Sequence, residues 1–353
     1  MKFRPQLSLD VTSQSSSSKN DDDNGNTFAF GQTTYRKDHF SIGQDYLRLE
    51  GRTVSRGQLS PDQLHLQHIV GKGNFSTVRR ASWRRHGDTT IPVAVKQLCL
   101  TQTSQTRQAM LLQELRTLCL LESECLVALH GAFLEQDVIF MVLEMMDQGS
   151  LQDYFGRHGN GVRLNNDFIA AVSLQVLTGL SHLHAQHMIH RDLKPANILL
   201  HSTGHVKLCD FGMTTLTEHS LQTTVVGTTK YMPPERLRGL PYGRASDLWS
   251  FGLVVWQCVT GCEPWADVHS LVDLVVTVEE TDVQGELLPM AGVLHPGLSE
   301  LLMACLQKIP GKLSSTVRNS SSMVYFSLTH TLVENMAHAN SCTQRNAFQQ
   351  HCF

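Results

Sequence analysis

The 353-residue chain lacks several features that would narrow its function at once. It has no strong excess of either charge. A formal net charge of −3 gives no global field to draw it to nucleic acid or to an anionic membrane surface. Its nine cysteines show no paired metal-ligand spacing and no secretory signal is read, so reduced thiols in a cytosolic or nuclear setting are expected. No apolar run of membrane-spanning length is read either; Leu253 to Val259 is too short and is expected to be a core helix. Together these absences predict a soluble intracellular protein, cytoplasmic with passage to the nucleus open, without a membrane span or a nucleic-acid partner. Hydrophobic residues make up 41%, enough for a sizeable core, and the length suits two ordinary domains plus tails.

What is present centres on Met188 to Gly212, MIHRDLKPANILLHSTGHVKLCDFG. Two short apolar strands, Ile198 to Leu200 and Val206 to Leu208, bracket a Ser-Thr-Gly turn and predict a hairpin. Asp192, Lys194 and Asn197 lie at one edge of it and Asp210 at the other, so two acids, an amide and an ammonium converge. Such a set can hold a divalent metal against phosphate and steer a hydroxyl toward it. The stretch resembles the catalytic and magnesium loops of eukaryotic protein kinases, a family whose phosphoryl-transfer parts are well defined.

Upstream text extends the resemblance. A strand over Leu66 to Val70 leads into Gly71-Lys72-Gly73-Asn74-Phe75-Ser76-Thr77-Val78, where glycines let backbone amides approach triphosphate oxygens; the usual third glycine is Ser76. In Ile91 to Lys96 a period of two puts Ala94 and Lys96 on one face, one to roof an adenine and the other to reach its phosphates. A helix is predicted over Thr106 to Leu121, with Leu111, Leu115 and Leu118 as its inward stripe. Glu114 shares that stripe and needs a cation, for which Lys96 is the candidate. Val138 to Glu144 reads as a strand, Ser150 as the cap of the helix after it, and Asp167 to His187 as a long amphipathic helix with Phe168, Val172, Val176, Leu180 and Leu183 inward.

The resemblance implies the rest of the nucleotide site: Val78 and Leu199 against the base, Leu143 as gatekeeper, and Glu144 to Met146 as a hinge offering backbone groups to adenine. It implies ATP and Mg²⁺ as cofactors, with Asn197 and Asp210 as metal ligands. Asp192 would orient the attacking hydroxyl and Lys194 would neutralise charge on the transferred phosphoryl group. Lys194, two residues after Asp192, resembles serine/threonine-type kinases. Leu118, Leu129, His190 and Phe211 match the hydrophobic spine, and Asp247 the acid that braces the catalytic loop. Cys209 stands where a nucleotide-pocket cysteine occurs, with an inert thiol as its default reading.

Within the family, LVALHGAF at 126–133, EMMDQGSL at 144–151, VKLCDFG at 206–212 and VGTTKYMPPERL at 226–237 resemble the dual-specificity, STE-type MAP kinase kinases. That subfamily phosphorylates a Thr and a Tyr in the activation loop of a MAP kinase. It is switched on by an upstream MAP kinase kinase kinase at two hydroxyls, matched here by Ser220 and Thr224. Thr228 matches the hydroxyl that ties the substrate loop to Asp192 and Lys194. Lys2 and Arg4 before Leu7 and Leu9 look like the peptide that docks the MAP kinase substrate.

The implied fold is α+β, the bilobal protein kinase fold: a small β-rich N-lobe with one helix and a larger, mainly α-helical C-lobe, with an atypical C-terminal end. Residues 1–64 are expected to be mostly disordered with a docking peptide at 2–9, residues 65–310 to form the kinase domain, and 311–353 to be an atypical, poorly ordered tail. Kinases usually carry an Arg at the position of Leu313, so Glu235 is expected to lack its cation and the large lobe to be destabilised. The tail reads as an alternative end or as a divergent one. A related Ser/Thr kinase of another branch, and a weakly active kinase-like docking protein, stand as the alternatives to a MAP kinase kinase.

Overall fold

The computed structural model describes residues 34–37, 40–43, 47–49, 52–53, 59, 61–73, 76–85, 89–100, 105–159, 161–211, 229–240, 243–282, 285 and 296–308. They form eleven strands and seven α-helices, the α+β architecture expected. The chain divides into two compact units, one of residues 1–104 with 129–145 and one of residues 105–128 with 146–353.

The first unit is built on a five-stranded antiparallel sheet. Its strands are β5 (Leu64–Lys72), β6 (Ser76–Arg84), β7 (Thr90–Cys99), β8 (Leu129–Glu135) and β9 (Val138–Glu144), in the order β5-β6-β7-β9-β8. Alternation sorts its two faces. Val93 and Val95 of β7 are fully buried and pack with Leu59, Ala81, Trp83, Phe133 and Val142. Phe133 stacks on Phe140 with ring centroids 4.8 Å apart. The even-numbered residues of β7, including Ala94 and Lys96, face the other way.

Residues 34–53 depart from the disorder expected of 1–64. They form a second antiparallel sheet of β1 (Thr34–Lys37), β2 (Phe40–Gly43), β3 (Leu47–Leu49) and β4 (Arg52–Thr53). The physical reason is a small apolar set hidden in a polar stretch. Ile42 and Leu47 pair across β2 and β3, are both fully buried, and β2 and β3 lie against β8. Leu59 adds to this cover, lying close over Gly131 of β8.

The second unit holds α1 (Gln105–Leu120), α2 (Leu151–His158), α3 (Asn166–Ala185), the hairpin β10 (Ile198–Leu200) and β11 (Val206–Leu208), α4 (Pro234–Leu237), α5 (Arg244–Thr260), α6 (Leu271–Glu280) and α7 (Pro296–Cys305). Leu115 and Leu118 of α1 are buried as their spacing predicts. Ser150 caps α2 through a reciprocal pair with Asp153: its Oγ accepts from Asp153 N at 3.1 Å while the Asp153 carboxylate accepts from Ser150 N at 2.8 Å. The inward residues expected of α3 are all buried. At 20 residues, α3 is the one described helix long and apolar enough to cross a membrane by length and composition, which the sequence reading had missed, but 67% of the tested window is buried inside the fold. That is the pattern of a core helix.

α5 and α7 meet at Gly252. A Cβ there would lie 2.8 Å from Leu306 Cδ2 and 2.9 Å from Cys305 Cβ, so only glycine admits this approach. Leu298, Leu301, Leu302, Cys305 and Leu306 are all buried. Glu235 of α4 accepts a hydrogen bond from Ser246 Oγ of α5 at 2.8 Å and, among the described residues, forms no ion pair. Positions 311–353, Leu313 included, lie outside the described residues, as do the docking residues Lys2, Arg4, Leu7 and Leu9.

Gly252→Ala tests the α5–α7 crossing. Helix propensity alone would favour Ala by about 1 kcal/mol, but overpacking costs about 1–3 kcal/mol. The expected outcome is a lower urea midpoint for the variant. A midpoint above wild type would show that α7 gives way without cost.

Candidate active site

The hairpin appears at the predicted residues, with Ile198 opposite Leu208, Leu199 opposite Lys207 and Leu200 opposite Val206. It draws its two flanks together: Cys209 N donates to Asn197 O at 3.1 Å, which brings Asn197 beside the residue preceding Asp210. Leu200 N donates to Gly149 O at 2.8 Å and Ser150 bridges Leu199, tying the hairpin to the turn before α2.

On this frame Asp192, Lys194 and Asn197 form one cluster. Lys194 Nζ lies 2.8 Å from Asp192 Oδ2. Asn197 Nδ2 donates to Asp192 O at 2.7 Å and to Asp192 Oδ2 at 3.0 Å. Spending its nitrogen on Asp192 leaves Asn197 with its carbonyl oxygen as the donor for a metal. Asp210, exposed on the other flank and held at φ 65, supplies carboxylate oxygens. Two hard oxygen donors fit Mg²⁺, which is bound through few protein ligands and keeps water and phosphate in its shell. Among the described residues there is no cluster of three or more His, Cys, Asp or Glu of the kind a dedicated structural metal would use.

The cluster hangs from Asp247 of α5. Asp247 Oδ2 accepts from His190 N at 2.8 Å and lies 2.7 Å from His184 Nε2, while Oδ1 accepts from Arg191 N at 2.8 Å. His184 and Asp247 are both almost wholly buried. Burial pushes the Asp247 carboxyl up, but the His184 hydrogen bond, the nearby charge of His184 and His190 and the Arg191 amide outweigh it and hold the group below the usual carboxylate range. The next contacts run forward. His190 Nε2 lies 3.1 Å from the Cys209 carbonyl, and its ring meets Phe211 edge-on with centroids 5.7 Å apart. Arg191 has φ 68, in the left-handed region that a non-glycine residue adopts only when its surroundings compel it.

The expected nucleotide residues of the first unit line up by register on the sheet face opposite its core. Gly71 is opposite Val78, Val78 opposite Lys96, Lys96 opposite Met141, and Ala94 opposite Leu143. Lys72 and Gly73 are exposed at the end of β5, and Gly73 N donates to Ser76 O at 2.8 Å. A Cβ at Gly73 would come within 2.8 Å of Ser76 Oγ, which would have to rotate away to admit one. Glu144 closes β9. In the second unit Met146 is buried and its carbonyl accepts from Gly149 N at 3.3 Å; Leu199 is half-buried in β10. Lys96 is on β7 of the first unit and Glu114, 5% exposed, on α1 of the second. Ser220, Thr224 and Thr228 lie outside the described residues.

Two contributors escaped the sequence reading. His184 looks like one more residue of the α3 stripe, and its only signal was a histidine on an apolar face. Arg236 of α4 donates through Nη1 to the Arg191 carbonyl, and nothing local to its sequence announces that.

Residues 64–326 match the family model described as the protein kinase domain. The chain is 36% identical over 271 residues to mitogen-activated protein kinase kinase 2 of Arabidopsis thaliana, covering 73% of this chain and 71% of that protein. It is 34% identical over 274 residues to mitogen-activated protein kinase kinase 1c of Physcomitrium patens, covering 74% and 75%. To the dual specificity mitogen-activated protein kinase kinase dSOR1 of Drosophila melanogaster it is 36% identical over 209 residues, covering 59% and 51%.

Asp247→Asn leaves one oxygen where three donors converge. Removing one partner of a buried charged network costs on the order of 3–5 kcal/mol, so a large fall in unfolding free energy is expected. Because the folded carboxyl is held low, its contribution is fully present above the unfolded carboxylate range and is lost as the pH falls through the folded value. Urea unfolding as a function of pH should therefore show the gap between wild type and variant narrowing on acidification. A constant gap would mean that the carboxylate charge is not what holds the loop.

Proposed function

The chain belongs to the protein kinase family and, within it, to the MAP kinase kinases, and on that premise we propose that it phosphorylates both a threonine and a tyrosine in the activation loop of a MAP kinase. The observation that carries the phosphoryl-transfer part of this reading is the Asp192–Lys194–Asn197 cluster held beside Asp210. Protein kinases as a family use ATP and Mg²⁺, and the bound metal would neutralise the triphosphate and hold it in line for transfer.

The chain's own residues do the rest. Asp192 orients the acceptor hydroxyl and takes up its proton as the oxygen–phosphorus bond forms; since the transition state asks for little base help, its main contribution is position. Lys194, already 2.8 Å from Asp192, places an ammonium where charge gathers on the transferred oxygens. Asn197 Oδ1 and the Asp210 carboxylate would hold the metal. Val78, Ala94 and Leu143 would cover the base, and the Glu144–Met146 segment would offer it backbone groups. Lys96 would meet the phosphates.

Dual specificity is supported by the name of the Drosophila relative and by the four subfamily-like stretches of sequence. An upstream kinase would switch the chain on at Ser220 and Thr224. Each phosphate would add about −1.5 to −2 charges, a partner for the guanidinium of Arg191. Lys2, Arg4, Leu7 and Leu9 would dock the MAP kinase, and Thr228 would tie the substrate loop to Asp192 and Lys194.

The test is Mg·ATP phosphorylation of a panel of kinase-dead MAP kinases by a Ser220→Asp/Thr224→Asp protein, read by mass spectrometry. Phosphate on both Thr and Tyr of the substrate loop is expected, falling by about 10²- to 10⁴-fold in an added Asp192→Ala change. Phosphate on Ser or Thr alone would overturn the dual specificity and favour a kinase of another branch. No transfer by a folded protein that still captures a MAP kinase would favour a docking role.

A further inference from the structure

We propose that Arg236 is a positioning residue for Asp192, acting through the carbonyl of Arg191. The peptide group between Arg191 and Asp192 is the last rigid unit before the side chain that meets the acceptor hydroxyl. Its oxygen accepts from Arg236 Nη1. Its N–H faces His190 Nδ1 at 3.4 Å, a weak restraint on that side. The amide before it, Arg191 N, is held by Asp247 Oδ1 at 2.8 Å. With Arg191 in the left-handed region, rotation of that peptide plane is the motion by which the loop would relax, and it would carry Asp192 with it. The guanidinium opposes that rotation because it is planar, always charged, and reaches from a separate element.

That element is itself anchored. Arg236 sits in α4, the four-residue helix that begins five residues after Thr229, where the described chain resumes. Glu235, its neighbour, accepts from Ser246 Oγ of α5 at 2.8 Å, and Ser246 Oγ also accepts from Gly243 N at 3.2 Å at the start of α5. Lys230 and Tyr231 are pinned to the same part of the fold: Trp265 Nε1 donates to Lys230 O at 3.0 Å, Lys230 Nζ meets Glu263 Oε2 at 3.0 Å, Ser250 Oγ donates to Tyr231 O at 2.8 Å and Tyr231 OH donates to Gln257 Oε1 at 2.5 Å. Two lines from α5 thus converge on the Asp192 backbone. One is direct, through Asp247. The other passes through Ser246, Glu235 and Arg236.

The inference rests on the hydroxyl-orienting role given to Asp192, and the experiment separates the two. In the full chain, kcat and KM are measured for transfer to a MAP kinase and for ATP hydrolysis to water, alongside thermal unfolding, for wild type, Arg236→Met, Arg236→Lys, Arg238→Met and Asp192→Ala. Arg238 is the control: it lies just past the same helix, is exposed, and pairs only with Glu279 at 2.6 Å on the surface among its described contacts. Arg236→Met is expected to lower kcat about 10- to 100-fold with KM for ATP unchanged, as misplacement of a catalytic group does. Arg236→Lys, which keeps one donor without the planar fork, should fall between, and Arg238→Met should match wild type. Wild-type kcat in either folded Arg236 variant would overturn the proposal, as would a loss confined to KM. If Arg236→Met does not fold, Arg236→Lys decides by the same criteria. A wild-type rate in Asp192→Ala would overturn the role of Asp192 itself, and hydrolysis to water keeps the Arg236 comparison readable even if no MAP kinase is accepted.

Discussion

One buried carboxylate carries the site. Asp247 gathers the His190 and Arg191 amides and the His184 imidazole at 2.7–2.8 Å from the buried first turn of α5. A loop that must leave Asp192 and Lys194 partly open to solvent cannot bury enough apolar surface to hold itself still. Its rigidity is borrowed instead from α5, and the loan is made in hydrogen bonds to a charge, which are about twice as strong as neutral ones. Everything downstream inherits its place from that: the turn at Arg191, the Lys194 contact, the amide of Asn197, and through His190 the backbone of Cys209 next to Asp210.

The parts legible in the sequence are the local ones. The hairpin strands 198–200 and 206–208 and the strand 138–144 occur at the predicted residues because short apolar runs and a Ser-Thr-Gly turn contain their own instructions. The α3 stripe and the Ser150 cap were readable for the same reason. The nucleotide residues of the first unit were named from motif order, and the sheet register then placed Val78, Ala94, Lys96 and Leu143 on one face without further assumption. Residues linked only by distant contacts stayed hidden. His184 meets Asp247 across 63 positions, and Arg236 meets Arg191 across 45. No window of sequence contains both ends of either bond.

The β1–β4 sheet was missed for a different reason. Residues 1–64 are dominated by the Ser, Asp and Asn of their first half, and composition averages conceal short strands whose inward residues number only a few. Ile42 and Leu47 are enough, because β8 already offers them a surface. Burial here is decided by what lies opposite, which a propensity scale does not know.

That sheet also changes where the first unit can be cut. β8 is an outer strand of the five-stranded sheet, and β2, β3 and Leu59 cover it by packing without adding a strand to it. A fragment trimmed to the family-matched span beginning at residue 64 would strip that cover away. It would bare apolar residues of an outer strand, the part of a sheet that proteins most need to protect. The described part of this polar-looking stretch thus serves the sheet as apolar cover, apart from anything it does for catalysis.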